Sequence, residues 1–178
     1  MKQVLYRNFG NPAEVLEVKE RDSSVLTEGQ ARIKVLRAPI NPSDIAQVAG
    51  QYGVKPGLPA IAGLEGLGRV VEVNGTGIDG GQLVLLPSVG TWAAEMVGPI
   101  DQLVPLPEGD LDQLSMLRVN PATAYLLLTE FVELNAGDWV ILSAANSAVG
   151  SYILQLAKAL VIILVCVVRR ESSVAALN

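Results

Sequence analysis

A chain of 178 residues with a hydrophobic share of 50% can build one domain, or one domain and part of another. A formal net charge of −5, with no basic stripe and no aromatic–basic interleaving, excludes a nucleic-acid binder. The absence of histidine removes His-based triads and nearly every catalytic zinc arrangement, and the one cysteine, Cys166, has no disulfide partner.

Residues 1–6 read as a strand rather than as a basic region leading into an apolar one, so no signal or transit peptide is expected and a reducing cytoplasm is the default compartment. Residues 31–38 alternate as a half-exposed strand, and Asn41-Pro42-Ser43-Asp44 then opens a short helix to Val48, with Ser43 or Asp44 as its cap. Residues 66–73 form a second strand, closed by Asn74-Gly75-Thr76-Gly77, and residues 82–86, 92–97 and 103–106 add three more. Many short strands with such turns predict a compact barrel-like β domain.

From Asp110 the pattern turns helical. Residues 110–117 form one segment, and Asn120 caps a second, with Pro121 in its first turn, running through Tyr125 toward Glu133. The expected division is a substrate domain over residues 1–119, then a linker helix and a partial dinucleotide-binding domain over residues 120–178.

Residues 138–170 read as strand, turn, helix and strand. Trp139 to Leu142 is an apolar run entered through Ala136-Gly137-Asp138, and Ser143 to Ser147 are small. A helical stripe follows at Val149, Ile153, Leu156 and Leu160, and residues 161–168 make an unbroken apolar run whose length suits a fully buried strand with Cys166 as a small core residue. Gln155 and Lys158 leave the combined stretch too short and too polar to span a membrane.

Laid on the pattern G-x-G-x-x-G, the turn reads Ala145-x-Ser147-x-x-Gly150. Pyrophosphate binding needs close backbone approach and the free N–H groups of a helix start. Ala145 and Ser147 are small enough for that approach, and Gly150 lets the helix pack on the strand; any tight strand-to-helix turn also favours small residues. Arg169 lies 169 − 150 = 19 positions past Gly150, with Arg170 after it, where an NAD site usually carries an acid. Arginine there suits a 2′-phosphate, so NADPH is expected over NADH; the other reading is a pair of solvated strand-end charges.

Asn41-Pro42-Ser43-Asp44, Gly50-x-Tyr52-Gly53, Leu58-Pro59, Gly63-Leu64-Glu65-Gly66, Gly90-Thr91-Trp92, Asn120-Pro121-x-Thr123-Ala124-Tyr125, Asn146-Ser147-x-Val149-Gly150 and the paired arginines run in one order along the chain. Together they resemble the zinc-free branch of the medium-chain dehydrogenase/reductase superfamily. The likeness is to 2-enoyl thioester reductases of the mitochondrial fatty-acid synthesis type and their quinone-oxidoreductase-like bacterial relatives. Zinc-dependent relatives place a cysteine ahead of the first helix and a histidine within G-H-E, where this chain has Asn41 and Leu64.

The resemblance implies a mixed α/β chain: a GroES-like β-barrel-type N-terminal domain followed by the first βαβ unit of a truncated Rossmann domain. It implies NADPH-dependent reduction of the carbon–carbon double bond of a trans-2-enoyl thioester, without a metal. Tyr52 maps to the family's proton donor or polariser; the alternative is a tyrosine packing a loop. Asn41, Asn120 and Thr123 map near the cofactor, with Ala145, Asn146, Ser147, Ala148, Val149 and Gly150 around the pyrophosphate and Arg169 and Arg170 at the ribose. Asn41 and Asn120 could instead serve as caps, and Thr123 and Tyr125 either face the cofactor or take a core or interface role. Glu65 is expected as a buried acceptor or ion-pair partner, and Trp92 either lines an acyl pocket or fills the β core.

Quinone reduction and a non-catalytic scaffold are the competing functions. The partner is a small molecule rather than nucleic acid or membrane, with a homodimer when the enzyme is complete.

Three departures stand out. Val161 occupies a helix-ending position where the family usually has glycine, Ala148 replaces a common glycine, and Gln82 stands where aspartate is frequent. Family members run to roughly twice this length, as two-domain enzymes do. A two-stranded parallel sheet would leave an edge and an apolar face exposed, and the 178 residues alone are expected to show little or no reductase activity.

Overall fold

The structure, a computed structural model, describes residues 1–177, with Ala176 described by its backbone alone; Asn178, the last residue of the expected second domain, lies outside the described residues. The chain divides into two compact units between Met116 and Leu117.

The first unit carries β1 (Lys2–Tyr6), α1 (Pro12–Val15), β2 (Glu17–Glu20), β3 (Gln30–Arg37), α2 (Pro42–Val48), β4 (Ala60–Ile61), β5 (Leu67–Asn74), β6 (Leu83–Leu85), β7 (Glu95–Pro99), β8 (Val104–Pro105) and α3 (Leu111–Ser115). Two antiparallel sheets form, ordered β2-β1-β4 and β7-β3-β5-β6-β8. The expected strand over residues 92–97 begins only at Glu95, because residues 92–94 serve both sheets. Val4 N–H donates to the Trp92 carbonyl at 2.9 Å and Ala94 N–H to that of Lys2 at 2.8 Å, while Val35 N–H reaches Ala94 at 3.0 Å. That shared segment ties the sheets into a barrel-like wrap.

Period-two alternation aims Ala31 and Ile33 inward from β3, where they meet Val70, Val84 and Leu86, all at most 1% exposed. Each buried Val, Leu or Ile contributes about 2 kcal/mol. A second cluster gathers Tyr6, Val48, Ala60 and Ala62, with Phe9 and Trp92 packed against it. Arg37 Nε holds Asp112 of α3 at 2.6 Å, and Arg69 grips Glu108 with two bonds, at 2.8 and 3.1 Å. Gln82 closes its turn by accepting from Asp79 N–H at 3.3 Å.

The second unit carries α4 (Asn120–Thr129), β9 (Trp139–Ser143), α5 (Ala148–Ala159), β10 (Ile163–Val167) and a 3₁₀ segment, Glu171–Leu177. β9 and β10 pair in parallel, from Ile163 with Trp139 to Val167 with Ser143. One face packs on the helices: Ala124 and Leu128 of α4 and Ile153 and Ala157 of α5 join Ile162, with Val140, Leu142 and Leu164 against them. The other face is open, with Trp139 70% and Ile141 76% exposed and Ile163, Val165 and Val167 beside them.

The fully buried strand expected over residues 161–168 is therefore corrected. β10 alternates between exposed and half-buried, because only its helix-facing side is covered, and Cys166 is half-buried there in step with Leu164. α4 also differs from expectation. Val119 is the N-cap, Asn120 is the first helical residue, and the helix ends at Thr129.

Val161 takes φ 60°, the left-handed region. Ile162 N–H donates to Ala157 at 2.8 Å and Val161 N–H to Lys158 at 3.4 Å, the two bonds of a Schellman ending. The fold keeps the geometry glycine would favour and imposes it on a β-branched residue.

Candidate functional site

The turn after β9 is built from small residues because the backbone folds tightly there. Ala144 sits at φ 52°, and Ala145 is fully buried. Ser147 caps α5, its side chain accepting from Gly150 N–H at 3.1 Å. A Cβ on Gly150 would collide with the Ala145 carbonyl and lie 3.0 Å from the Ala144 oxygen, so only glycine lets α5 start this close to the strand end. Ala148 and Val149 occupy the first turn of α5, where backbone N–H groups lack helical partners and the dipole favours an anion.

Beyond the C-terminal ends of β9 and β10 lies a cleft of about 480 Å³ bordered by Ser143, Asn146, Ser147, Arg169, Arg170 and Ser173. Open α/β sheets bind ligands in this position. Exposed Asn146, Ser147, Arg169 and Arg170 thus border one hollow. Gly150 leaves the room the turn needs and the arginines supply positive charge, so the donor set fits a phosphorylated dinucleotide.

In the first unit Asn41 is the N-cap of α2, and Asp44, at the third helical position, completes a capping box with it. This corrects the expectation that Ser43 or Asp44 is the cap: the residue before Pro42 is held extended at φ −103°, and the helix starts after it. Asp44 accepts from Asn41 N–H at 2.6 Å and from Leu64 N–H at 2.8 Å. Burial pushes its carboxyl above the usual carboxylate value, against the opposing pull of those two bonds. Asn41 donates through Nδ2 to the Glu65 carboxylate at 2.6 Å. Glu65, fully buried, is thus an acceptor, and its own carbonyl takes the Thr91 hydroxyl at 2.7 Å.

Tyr52 lies on the loop after α2 and is 39% exposed. Trp92 is half-buried, packs against the cluster around Tyr6, and donates through Nε1 to the Pro39 carbonyl at 3.3 Å. It also borders a largely apolar hollow of about 430 Å³ with Val35 and Ile40, so both of its expected roles have a geometric basis.

On α4, Asn120 is buried, while exposed Thr123 turns its hydroxyl back to the Val119 carbonyl at 2.7 Å, and Tyr125 is 54% exposed. Among the described residues no group of three or more acidic or cysteine side chains is placed to hold a metal ion, and no helix is long and apolar enough to cross a membrane.

The structure adds Ser143, Ala144 and Ser173 to the candidates. Nothing in the glycine pattern marked Ala144 as the left-handed position. Nothing in periodicity marked Ser173.

Comparison with known proteins bears on the same regions. Residues 27–108 match the alcohol dehydrogenase GroES-like domain family. The chain is 39% identical over 183 residues to the human mitochondrial enoyl-[acyl-carrier-protein] reductase, covering 100% of this chain and 49% of that protein. Among solved structures, the mitochondrial 2-enoyl thioester reductase Etr1p/Etr2p heterodimer from Candida tropicalis superposes with a TM-score of 0.85 at 33% identity, covering 99% of this chain and 57% of that one. A quinone oxidoreductase from Pseudomonas syringae gives 0.86 at 26%, covering 99% and 55%. Etr1p is also known as a complex with NADP and crotonyl-CoA. The chain spans about half the length of the relatives it matches.

Proposed function

The chain belongs to the medium-chain dehydrogenase/reductase superfamily, and from that premise we propose that it forms the GroES-like and phosphate-cradling part of an NADPH-dependent 2-enoyl thioester reductase. The observation that carries the reading is the cleft at the ends of β9 and β10, where the tight Gly150 turn and two arginines share one hollow. Similarity to enoyl reductases, one of them solved with NADP and crotonyl-CoA, supplies the substrate class.

In this reading Ala148 and Val149 offer backbone N–H groups to the pyrophosphate. Asn146 and Ser147 fix its position, and Arg169 and Arg170 receive the 2′-phosphate. Bound nicotinamide supplies a hydride for the β carbon of the enoyl thioester. Tyr52 delivers the proton to the α carbon or holds the thioester oxygen, a phenol being protonated at neutral pH. Asn41, Asn120 and Thr123 each serve the cofactor. Trp92 borders the acyl chain, its indole anchored at Pro39.

The complete protein works as a homodimer in the cytoplasm, while the relative's name places that protein in mitochondria; cell fractionation and sizing check both. The 178 residues alone turn over little substrate, since β9 and β10 leave an apolar face uncovered.

The test is NADPH oxidation with crotonyl-CoA, by these residues and by the product of the complete reading frame. Turnover by the complete product, lost by about 10²-fold or more in Tyr52→Phe, supports the proposal. Absence of turnover with the thioester overturns it. Similarity to a quinone oxidoreductase sustains a second reading, in which Tyr52→Phe leaves quinone reduction nearly intact because no positioned proton donor is needed.

A further inference from the structure

Ser173 lies outside the glycine-type turn and outside the arginine pair, yet it borders the cleft with Arg169 and Arg170. The chain turns back after β10 and enters the 3₁₀ segment Glu171–Leu177, with Ser173 N–H donating to the Arg170 carbonyl at 3.0 Å. That bond ties the backbone of residue 173 to that of Arg170 and leaves its hydroxyl uninvolved. Asn146, in the turn after β9, reaches the hydroxyl through Nδ2 at 3.4 Å. The contact occupies one acceptor position of the oxygen and leaves its proton available for donation.

A neutral donor beside two guanidinium groups suits an oxyanion better than it suits a ribose hydroxyl, since a hydrogen bond to a charged acceptor is about twice as strong. We propose that Ser173 is a specificity-determining residue of this cleft, its hydroxyl holding the 2′-phosphate of NADPH beside Arg169 and Arg170 while Asn146 aligns it. The proposal rests on the NADPH reading of the same cleft. Ser172, the neighbouring hydroxyl, does not border the cleft and serves as the internal control.

Equilibrium titration of the full chain with NADPH, NADH and 2′,5′-ADP tests it. Ser173→Ala is expected to weaken NADPH and 2′,5′-ADP about 5- to 10-fold and leave NADH unchanged, the size of one charge-assisted hydrogen bond. Ser173→Thr keeps the hydroxyl and restores the preference. Ser173→Asp places a carboxylate against the phosphate and is expected to cost NADPH about 100-fold, enough to reverse the preference. Ser172→Ala changes nothing.

Wild-type preference for NADPH that survives Ser173→Ala and Ser173→Asp overturns this inference and leaves the cofactor reading standing. Equal losses for NADPH and NADH in Ser173→Ala also overturn it, by showing that the serine only props Asn146. A wild-type chain that binds neither dinucleotide overturns both.

Discussion

In the first unit β3 sends Ala31 and Ile33 into a core closed on every side, whereas in the second β9 sends Val140 and Leu142 to the helices and leaves Trp139 and Ile141 in solvent. The strands follow the same two-residue rule. What differs is the number of covered faces, because the inward side of β3 is buried in its own core and the parallel pair has helices on one side. Polar groups divide in the opposite sense. Asn41, Asp44 and Glu65 are buried and bonded among themselves, while Asn146, Ser147, Arg169 and Arg170 face an open hollow. The first unit therefore seals its polar network inside, and the second leaves its polar groups open to solvent.

The sharpest way to break that contrast is to truncate matching residues in each unit. Ile33→Ala is expected to cost about 3 kcal/mol of unfolding free energy, read from urea denaturation. Ile141→Ala, on the open face, should stay within about 0.5 kcal/mol and reduce association in light scattering. Equal losses would mean the open face is packed in solution. Next in size, Gly150→Val should lower NADPH affinity about 100-fold by driving α5 away from the turn, with the far-UV spectrum little changed. Retained affinity would detach the cleft from cofactor binding.

Two smaller tests concern strain. Val161→Gly and Ala144→Gly place glycine at φ 60° and φ 52°, and each should add about 1 kcal/mol of stability in thermal melts. A loss at either position would contradict the left-handed assignment. The smallest effect is Asp44's dependence on pH. Its carboxyl is raised in the folded state by burial, so the folded state holds that proton more tightly than the unfolded one. The contribution is therefore greatest in acid and declines as pH rises from the ordinary carboxylate value through the raised one. Wild-type stability minus that of Asp44→Asn should fall across that window, and a rise would reverse the assigned sign.

Much of this was legible because local rules and tertiary packing agree. The strands of the β domain follow alternation, the helix after Ser147 follows its apolar stripe, and the exposed face of the parallel pair follows from counting its strands. For Glu65 the family resemblance left a buried acceptor or an ion-pair partner open, and only the Asn41 contact decides for the acceptor. Other features depend on long-range contacts that no window contains. Residues 92–94 serve two sheets only because β1 and β3 flank them, and Trp92 lies 92 − 4 = 88 positions from the Val4 it bonds. The left-handed backbone of Ala144 arises where the chain leaves β9 for α5, and no residue pattern marks it. Ser173 became visible only when the turn after β10 brought it beside Asn146, 27 positions earlier in sequence.

The central proposal is that the second unit cradles NADPH at the ends of β9 and β10. Titration of the full chain with NADPH and NADH, followed by calorimetry, tests this most directly. Saturable NADPH binding about 10-fold or more tighter than NADH, weakened when Arg169 and Arg170 are changed to alanine, is the predicted result. Tighter binding of NADH, or an NADPH affinity that the two substitutions leave unchanged, would contradict it.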